Sequence, residues 1–264
     1  MKLLALFLLC LMRLGPVIGL APFLGGKVTP GPTRIGMAIV FSLAFLPMVI
    51  NYAGQENLAF DFRFTLLALK ELLLGLAMGF LISVPFLIAQ SSGIFVDYLR
   101  GASIMQAQDP TMQNQSSSIG NLFNYVLIVL FFQLDGPLMF FDSFLKSYQL
   151  IPPDAFISPK FFSLQLPLWE TSVILMHHIV ALSVQLAAPA LIAVLMTEVF
   201  LGIANRLAPQ VQISFLGMSL KSLIGLLVLW VGWMFILKQT SVETLKWFTT
   251  FNKIIDSFAP YKLM

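Results

Sequence analysis

The chain has 264 residues, of which 58% are hydrophobic and 10% are charged, and its mean hydropathy is +0.90. Soluble domains average about 45–50% apolar and about 25% charged residues, so the composition excludes a water-soluble globular protein and indicates an integral membrane protein or a subunit of a hydrophobic assembly. The net charge of +3 arises from 15 basic and 12 acidic residues spread along the chain, which excludes a nucleic-acid reader, and the single cysteine excludes an intrachain disulfide.

Six long apolar stretches predict an all-α membrane protein of about six hydrophobic helices. In chain order they cover residues 3–24, 35–55, 72–96, 110–134, 171–197 and 222–237. Most have the roughly 17–25 residues that a helix needs to cross a ~30 Å hydrocarbon core, and none alternates like a barrel strand. The first stretch resembles a signal peptide but lacks a suitable cleavage site, so we expect it to remain as the first helix.

Polar connections separate these stretches, and no internal repeat or linker divides the chain. We therefore expect one unit over residues 1–264. Its predicted parts are N-terminal helices over 1–134 with a polar loop at 101–118, an extramembrane connection at 135–170, C-terminal helices over 171–237 that include a hairpin at 190–237, and a basic tail at 238–264. The lysines of the tail favour a cytoplasmic C-terminus.

Prolines lie inside four of the apolar stretches, at Pro16, Pro47, Pro85 and Pro189. Each removes a backbone hydrogen bond and can kink a helix, so bent helices are predicted. The alternative is that packed membrane helices tolerate these prolines without functional meaning.

Charged side chains flanked by long apolar runs are informative, because an unpaired charge in a membrane is costly. Arg13, Lys70, Glu71, Glu198 and Lys221 are of this kind. Lys70 and Glu71 are adjacent and point about 100° apart on a helix, so we expect them to have different partners.

One hairpin predicts a specific ion pair. If the chain turns between Pro209 and Gln210, Glu198 lies 11 residues before the turn and Lys221 lies 11 residues after it. The two charges then lie at equal height, roughly 17 Å from the turn. We expect them to pair within the hairpin or through a neighbouring subunit; the alternative is that either side chain faces a hydrophilic pore.

A second pair is suggested by Asp97 and Arg100, which share one face of a helix. The alternative for this pair is a solvated helix end. His177 and His178 diverge on a helix and have no carboxylate at a suitable spacing, so no metal site is expected. No nucleotide-binding or hydrolase motif is present, and no cofactor is expected.

The segment 101–118 is rich in amides and hydroxyls and contains two methionines. Uncharged polar side chains can line an aqueous passage without binding a passing chain strongly, and methionine can seal a gap of changing shape. The alternative is an ordinary extramembrane loop.

Several strings together resemble one family, the type III secretion export-apparatus proteins called SctT in virulence systems and FliR in flagella. The matching residues are Arg13; Ala21 to Phe23 with Pro30 to Arg34; Lys70, Glu71, Gly75 and Gly79; Asp97 with Arg100 to Ala102; Asp109 and Pro110; Ala188 and Pro189; Glu198 to Gly202; Asn205 to Gln210; and Leu220 to Leu223. The most specific string runs from Leu201 to Gln210. The strings around Arg100, Glu198 and Lys221 resemble the virulence branch more than the flagellar branch.

The resemblance implies roles for particular residues. A plug that closes the resting channel would contain Met105, Gln106, Gln108, Asp109, Pro110 and Met112. Charge pairing and assembly would use Glu198, Lys221, Arg206, Lys70, Glu71, Asp97 and Arg100. The turn of a hairpin similar to an S-type subunit would lie at Pro209 and Gln210.

The resemblance also implies a non-enzymatic subunit of helical hairpins in the bacterial inner membrane, much of it raised toward the periplasm. Its partners would be R-type and S-type subunits, with which it forms an entry channel, together with U-type and V-type export proteins, exported proteins in transit and membrane lipid. A stand-alone solute transporter or channel is the main alternative. An intramembrane enzyme that uses His177 or His178 is a third.

Overall fold

The computed structural model describes residues 2–26, 29–54, 60–101, 117–156, 167–207 and 213–256. Within these ranges the chain forms helices and no strands, which confirms the all-α class. The α-helices are α1 (Lys2–Leu20), α2 (Gly31–Tyr52), α3 (Phe62–Leu99), α4 (Ser118–Gln133), α5 (Gly136–Leu150), α6 (Pro167–Leu207), α7 (Ile213–Val231) and α8 (Trp233–Asp256), with a short 3-10 helix at Pro22–Leu24.

Four of these helices are long and apolar enough to cross a membrane: α1, α2, α3 and the part of α6 from Met176 to Leu207. Two further candidates are bent pairs, in which α4 meets α5 at 75° and the part of α7 from Gly217 meets α8 at 64°. The described residues thus contain four candidate spans, or up to six if each bent pair is one span. Each of the six predicted apolar stretches overlaps one of them.

The two sharp bends do not lie at the prolines where bends are predicted. Pro16, Pro47, Pro85 and Pro189 are all inside continuous helices. The bends lie where α4 gives way to α5 at Asp135, which has a left-handed φ of 54°, and at Gly232 between α7 and α8. The left-handed conformation of Asp135 turns the chain out of the helix, whereas a proline inside a membrane helix is tolerated when neighbouring groups satisfy the carbonyl that it leaves free.

Helix α5 lies inside the segment that was predicted as a connection at 135–170. Phe140, Phe144 and Tyr148 are fully buried on this helix. The Phe140 ring centroid is 5.6 Å from that of Phe23 and 6.1 Å from that of Phe251. Aromatic burial at helical spacing therefore makes this phenylalanine-rich segment part of a core, although Asp142 and Lys146 interrupt its hydropathy.

The chain divides into two compact units. Unit 1 comprises Met1–Val84, Phe131–Ile174 and Leu245–Met264, and its core includes a cluster of Ala5, Leu6, Leu9, Leu46 and Leu67. Unit 2 comprises Pro85–Leu130 and Leu175–Thr244, and its buried residues include Val96, Leu127, Ala187, Ala190 and Val194. The finer division of the chain made from the sequence remains a prediction.

Candidate functional site

The described part of unit 1 contains a fully buried ion pair between α1 and α3. Arg13 and Glu71 have no exposed side-chain surface. Two nitrogens of the Arg13 guanidinium bind the Glu71 carboxylate: Nε donates to Oε2, and Nη2 donates to Oε1 at 2.8 Å. Bidentate geometry of this kind fixes the relative position of two helices as well as neutralising both charges.

The remaining donors of Arg13 bind α5 and the residue after it. Nη1 donates to Ser147 Oγ and Nη2 to the Ile151 carbonyl, each at 2.9 Å. The guanidinium carbon also lies 4.0 Å from the centre of the Tyr148 ring, which adds a cation–π contact. Arg13 therefore joins α1, α3 and the end of α5.

Lys70 forms hydrogen bonds to the backbone of the segment that follows α5. Its ammonium donates to the carbonyls of Pro152 at 2.9 Å, Pro153 at 3.2 Å and Ala155 at 2.7 Å. It also lies 2.8 Å from Glu71 Oε1. Lys70 and Glu71 thus bind different further groups but also form an ion pair with each other, so the expectation that they have different partners is met only in part.

A glycine permits this cluster to form. A Cβ added at Gly75 would collide with the backbone carbonyl of Arg13. Gly75 lies one turn after Glu71 on α3, so the absence of a side chain there lets α3 approach the backbone of α1 where the two charges meet.

The predicted pair of Asp97 and Arg100 is present at the end of α3. Arg100 Nη2 lies 2.7 Å from Asp97 Oδ1, and both side chains are largely buried. The alternative of a solvated helix end is therefore wrong for Asp97, which is 5% exposed.

The structure also pairs Glu198 of α6 with Lys221 of α7, and Lys221 Nζ donates to Glu198 Oε1 at 2.7 Å. The Lys221 side chain is 20% exposed, whereas that of Glu198 is 55% exposed. The carboxylate therefore lies at the surface of unit 2, on a helix whose neighbouring exposed residues include Leu195 and Gly202.

A charge exchange tests what this pair contributes. Glu198→Lys places two ammonium groups at contact distance and is expected to lower the thermal midpoint of the purified chain in detergent. Adding Lys221→Glu restores opposite charges and is expected to recover most of the loss. The control is Lys238→Glu, at an exposed position of α8 outside its last turn. If the double exchange is no more stable than Glu198→Lys alone, the direct pair makes no contribution.

Arg206 is the remaining predicted site residue that the structure describes, and it takes part in none of these ion pairs. Arg206 is exposed in the last turn of α6, where the negative end of the helix dipole stabilises a cation. His177 and His178 are exposed on the same helix. Within the ranges that the structure describes, no group of three His, Cys, Asp or Glu side chains could hold a metal ion. The predicted plug residues 105–112 and the turn residues Pro209 and Gln210 lie outside the described residues.

The sequence predicted the pairs Asp97–Arg100 and Glu198–Lys221, but it did not predict the partners of Arg13 or the serine that binds Asp97. Arg13 was recognised as a charge in an apolar stretch, but its partner Glu71 is 58 residues away. Ser147 and Ser117, which bind Arg13 and Asp97, carry no signal that separates them from other serines. The one available hint is Gly75, one turn from Glu71, because small residues mark close helix contacts in membranes.

Comparison with known proteins places this chain among export proteins. The family described as "Bacterial export proteins, family 1" matches residues 4–246. The chain is similar to "Surface presentation of antigens protein SpaR" of Salmonella typhimurium, with 29% identity over 82% of this chain and 78% of that protein. It is also similar to "Secretion system apparatus protein SsaT" of the same organism, with 27% identity over 84% of each chain. "Yop proteins translocation protein T" of Yersinia pestis is 31% identical over 84% of this chain and 81% of that protein.

Proposed function

Because this chain belongs to the bacterial export proteins, family 1, we propose that it forms, with R-type and S-type subunits, the entry channel through which unfolded proteins are exported. The chain is a structural component of the type III secretion export gate and a multi-pass membrane protein. The observation that carries the proposal is the family match, which extends over residues 4–246 and overlaps every candidate span.

The surface of the α6–α7 region supports assembly with other subunits. Large apolar side chains are exposed there, including Phe200 at 67% and Trp230 at 79%. Surfaces of this kind need lipid or protein around them. Glu198 is two residues before Phe200 and has more than half of its side chain exposed, so a partner helix can reach the carboxylate. U-type and V-type export proteins are the further partners we propose.

The charges of this chain support a structural role and not an enzymatic one. Arg13, Lys70 and Glu71 are occupied with one another and with backbone carbonyls, which leaves them positioned to hold helices and not to react with a substrate. We therefore propose a non-enzymatic subunit of the inner membrane, with much of the assembled gate raised toward the periplasm.

The segment 101–118 is the part of the chain that we propose closes the resting channel. The support is its family resemblance and its composition, because amides and hydroxyls suit a water-filled passage and methionine suits a deformable seal. Met105, Gln106, Gln108, Asp109, Pro110 and Met112 would provide the contacts.

Deletion of residues 105–112 tests the proposal. Bacteria that lack the whole chain are expected to lose export, because the gate cannot assemble. Bacteria with the deletion are expected to assemble the gate, measured by co-purification of its subunits, but to leak ions or small molecules across the inner membrane.

Replacing residues 105–112 with a Gly/Ser segment of equal length separates the effect of their side chains from that of the shortened chain. Leakage at the level of the unaltered chain in both variants would contradict the plug role. Undiminished export without the chain would contradict the proposed function as a whole.

A further inference from the structure

A polar cluster joins the end of α3 to the beginning of α4. Asp97, near the end of α3, accepts hydrogen bonds at Oδ2 from Ser117 Oγ at 2.5 Å and from the backbone amide of Ile119 at 3.0 Å. Its other oxygen faces Arg100 at 2.7 Å. One buried carboxylate therefore contacts groups on both sides of the connection 102–116.

These contacts complete the first turn of α4. The first amides of a helix have no partner within the helix and must be satisfied from outside. Ser117 precedes α4, and its hydroxyl accepts from the amide of Gly120 at 2.8 Å, while Asp97 accepts from the amide of Ile119. A negative charge is also favourable at this end of a helix dipole. Asp97 is thus a cap that α3 supplies to α4.

A close backbone crossing lies beside the cap. A Cβ added at Gly93 would lie 2.5 Å from both the Cα and the amide nitrogen of Gly120. Gly93 is one turn before Asp97, and Gly120 is in the first turn of α4. Two neighbouring contacts therefore hold the end of α3 against the beginning of α4. One is the backbone contact of Gly93 with Gly120, and the other is the carboxylate of Asp97, one turn further along α3.

The cluster also reaches α7. Arg100 Nη1 makes a long contact of 3.5 Å with Ser222 Oγ, and Ser222 directly follows Lys221, which pairs with Glu198. Arg100 and Asp97 therefore connect three parts of unit 2: the end of α3, the beginning of α4, and the part of α7 that carries the ion pair of Lys221 with Glu198.

We infer that Asp97, Arg100, Ser117 and the Ile119 amide form a clasp that holds the two ends of the connection 102–116 together. Asp97 and Arg100 are then positioning residues, which act by setting where the connection begins and ends. The inference rests on the proposed function in assigning a plug to this connection. The clasp itself rests only on the contacts of Asp97.

The clasp and a simple ion pair respond differently to substitution of Asp97. Asp97→Asn loses the charge that faces Arg100 but keeps a side-chain oxygen that can accept from Ser117 and Ile119. Asp97→Ala loses all three contacts. A clasp therefore predicts that Asn retains much of the parent behaviour and Ala does not, whereas a simple ion pair predicts that the two variants are equal.

The experiment uses the complete export gate with two measurements. Hydrogen exchange of the Ile119 amide, read by mass spectrometry with fragmentation, is expected to rise about tenfold in Asp97→Ala and less in Asp97→Asn, because loss of a cap opens the first turn. Leakage across the inner membrane, normalised to the amount of assembled gate, is expected to follow the same order. The matched control is Asp256→Ala, which removes an exposed carboxylate 2.6 Å from Lys146 and is expected to change neither measurement.

The outcomes separate the clasp from the plug. Unchanged exchange at Ile119 in Asp97→Ala overturns the clasp. Raised exchange without leakage, in bacteria where deletion of 105–112 does leak, overturns the positioning role and leaves the plug intact. Raised exchange in Asp97→Ala supports the clasp, and it overturns the plug if neither Asp97→Ala nor the deletion of 105–112 causes leakage. If Asp97→Ala does not assemble, Ser117→Ala decides. Ser117 donates to Asp97 and accepts from the Gly120 amide, so a clasp requires exchange at Gly120 to rise in this variant, and unchanged exchange there overturns it.

Discussion

Replacing Glu71 with alanine is expected to abolish accumulation of the folded chain or to lower its thermal midpoint strongly. The substitution leaves Arg13, which has no exposed surface, without its carboxylate partner. Removing one member of a buried ion pair costs about 3–5 kcal/mol, because the remaining charge stays desolvated. That is a large share of a net folding stability of about 5–15 kcal/mol.

Removal of both charges is expected to be less harmful than removal of one. The double variant Arg13→Leu, Glu71→Leu contains no unpaired buried guanidinium, because apolar side chains replace both charges. Lys70 keeps its three carbonyl acceptors in the double variant, so it remains solvated by the backbone.

The measurement is thermal unfolding in detergent together with the yield of monodisperse protein. Asp256→Ala is the control, because its partner Lys146 is about half exposed and water replaces the lost carboxylate. A Glu71→Ala chain that accumulates and melts like the parent would show that the buried pair does not stabilise unit 1.

Gly93→Ala is expected to destabilise the chain although alanine is the better helix former. The new Cβ would lie 2.5 Å from the backbone of Gly120, and backbone atoms cannot rotate away as a side chain can. The helices α3 and α4 must separate, at a cost of about 1–3 kcal/mol for overpacking. Separation also draws the Ile119 amide away from Asp97, so its hydrogen exchange should rise.

Gly202→Ala provides a matched control on α6. No atom lies within 4 Å of a Cβ built there, so the substitution adds helix propensity without a collision. It should leave the isolated chain unchanged or more stable, by up to about 1 kcal/mol. The difference between the two thermal midpoints therefore isolates the close crossing, and equal midpoints would contradict it.

Local sequence patterns predicted the parts of this structure that depend on a single segment. Each apolar stretch became a span or part of a bent pair, because hydropathy over about 20 residues determines whether a segment can be surrounded by lipid. The pairing of Glu198 with Lys221 could also be anticipated, since the two arms of a short hairpin fix equal heights. Helix α5 was missed because Asp142 and Lys146 lower its hydropathy, and its burial depends on aromatic neighbours distant in sequence.

The sequence by itself determined that this chain is a helical membrane protein of the export family, with charges that need partners. Only the tertiary structure decided that Arg13 binds Glu71, that Asp97 caps α4, and that Gly93 meets Gly120. The physical reason is that hydropathy and residue spacing are properties of one helix, whereas these contacts depend on which helices become neighbours and on how each is rotated about its axis.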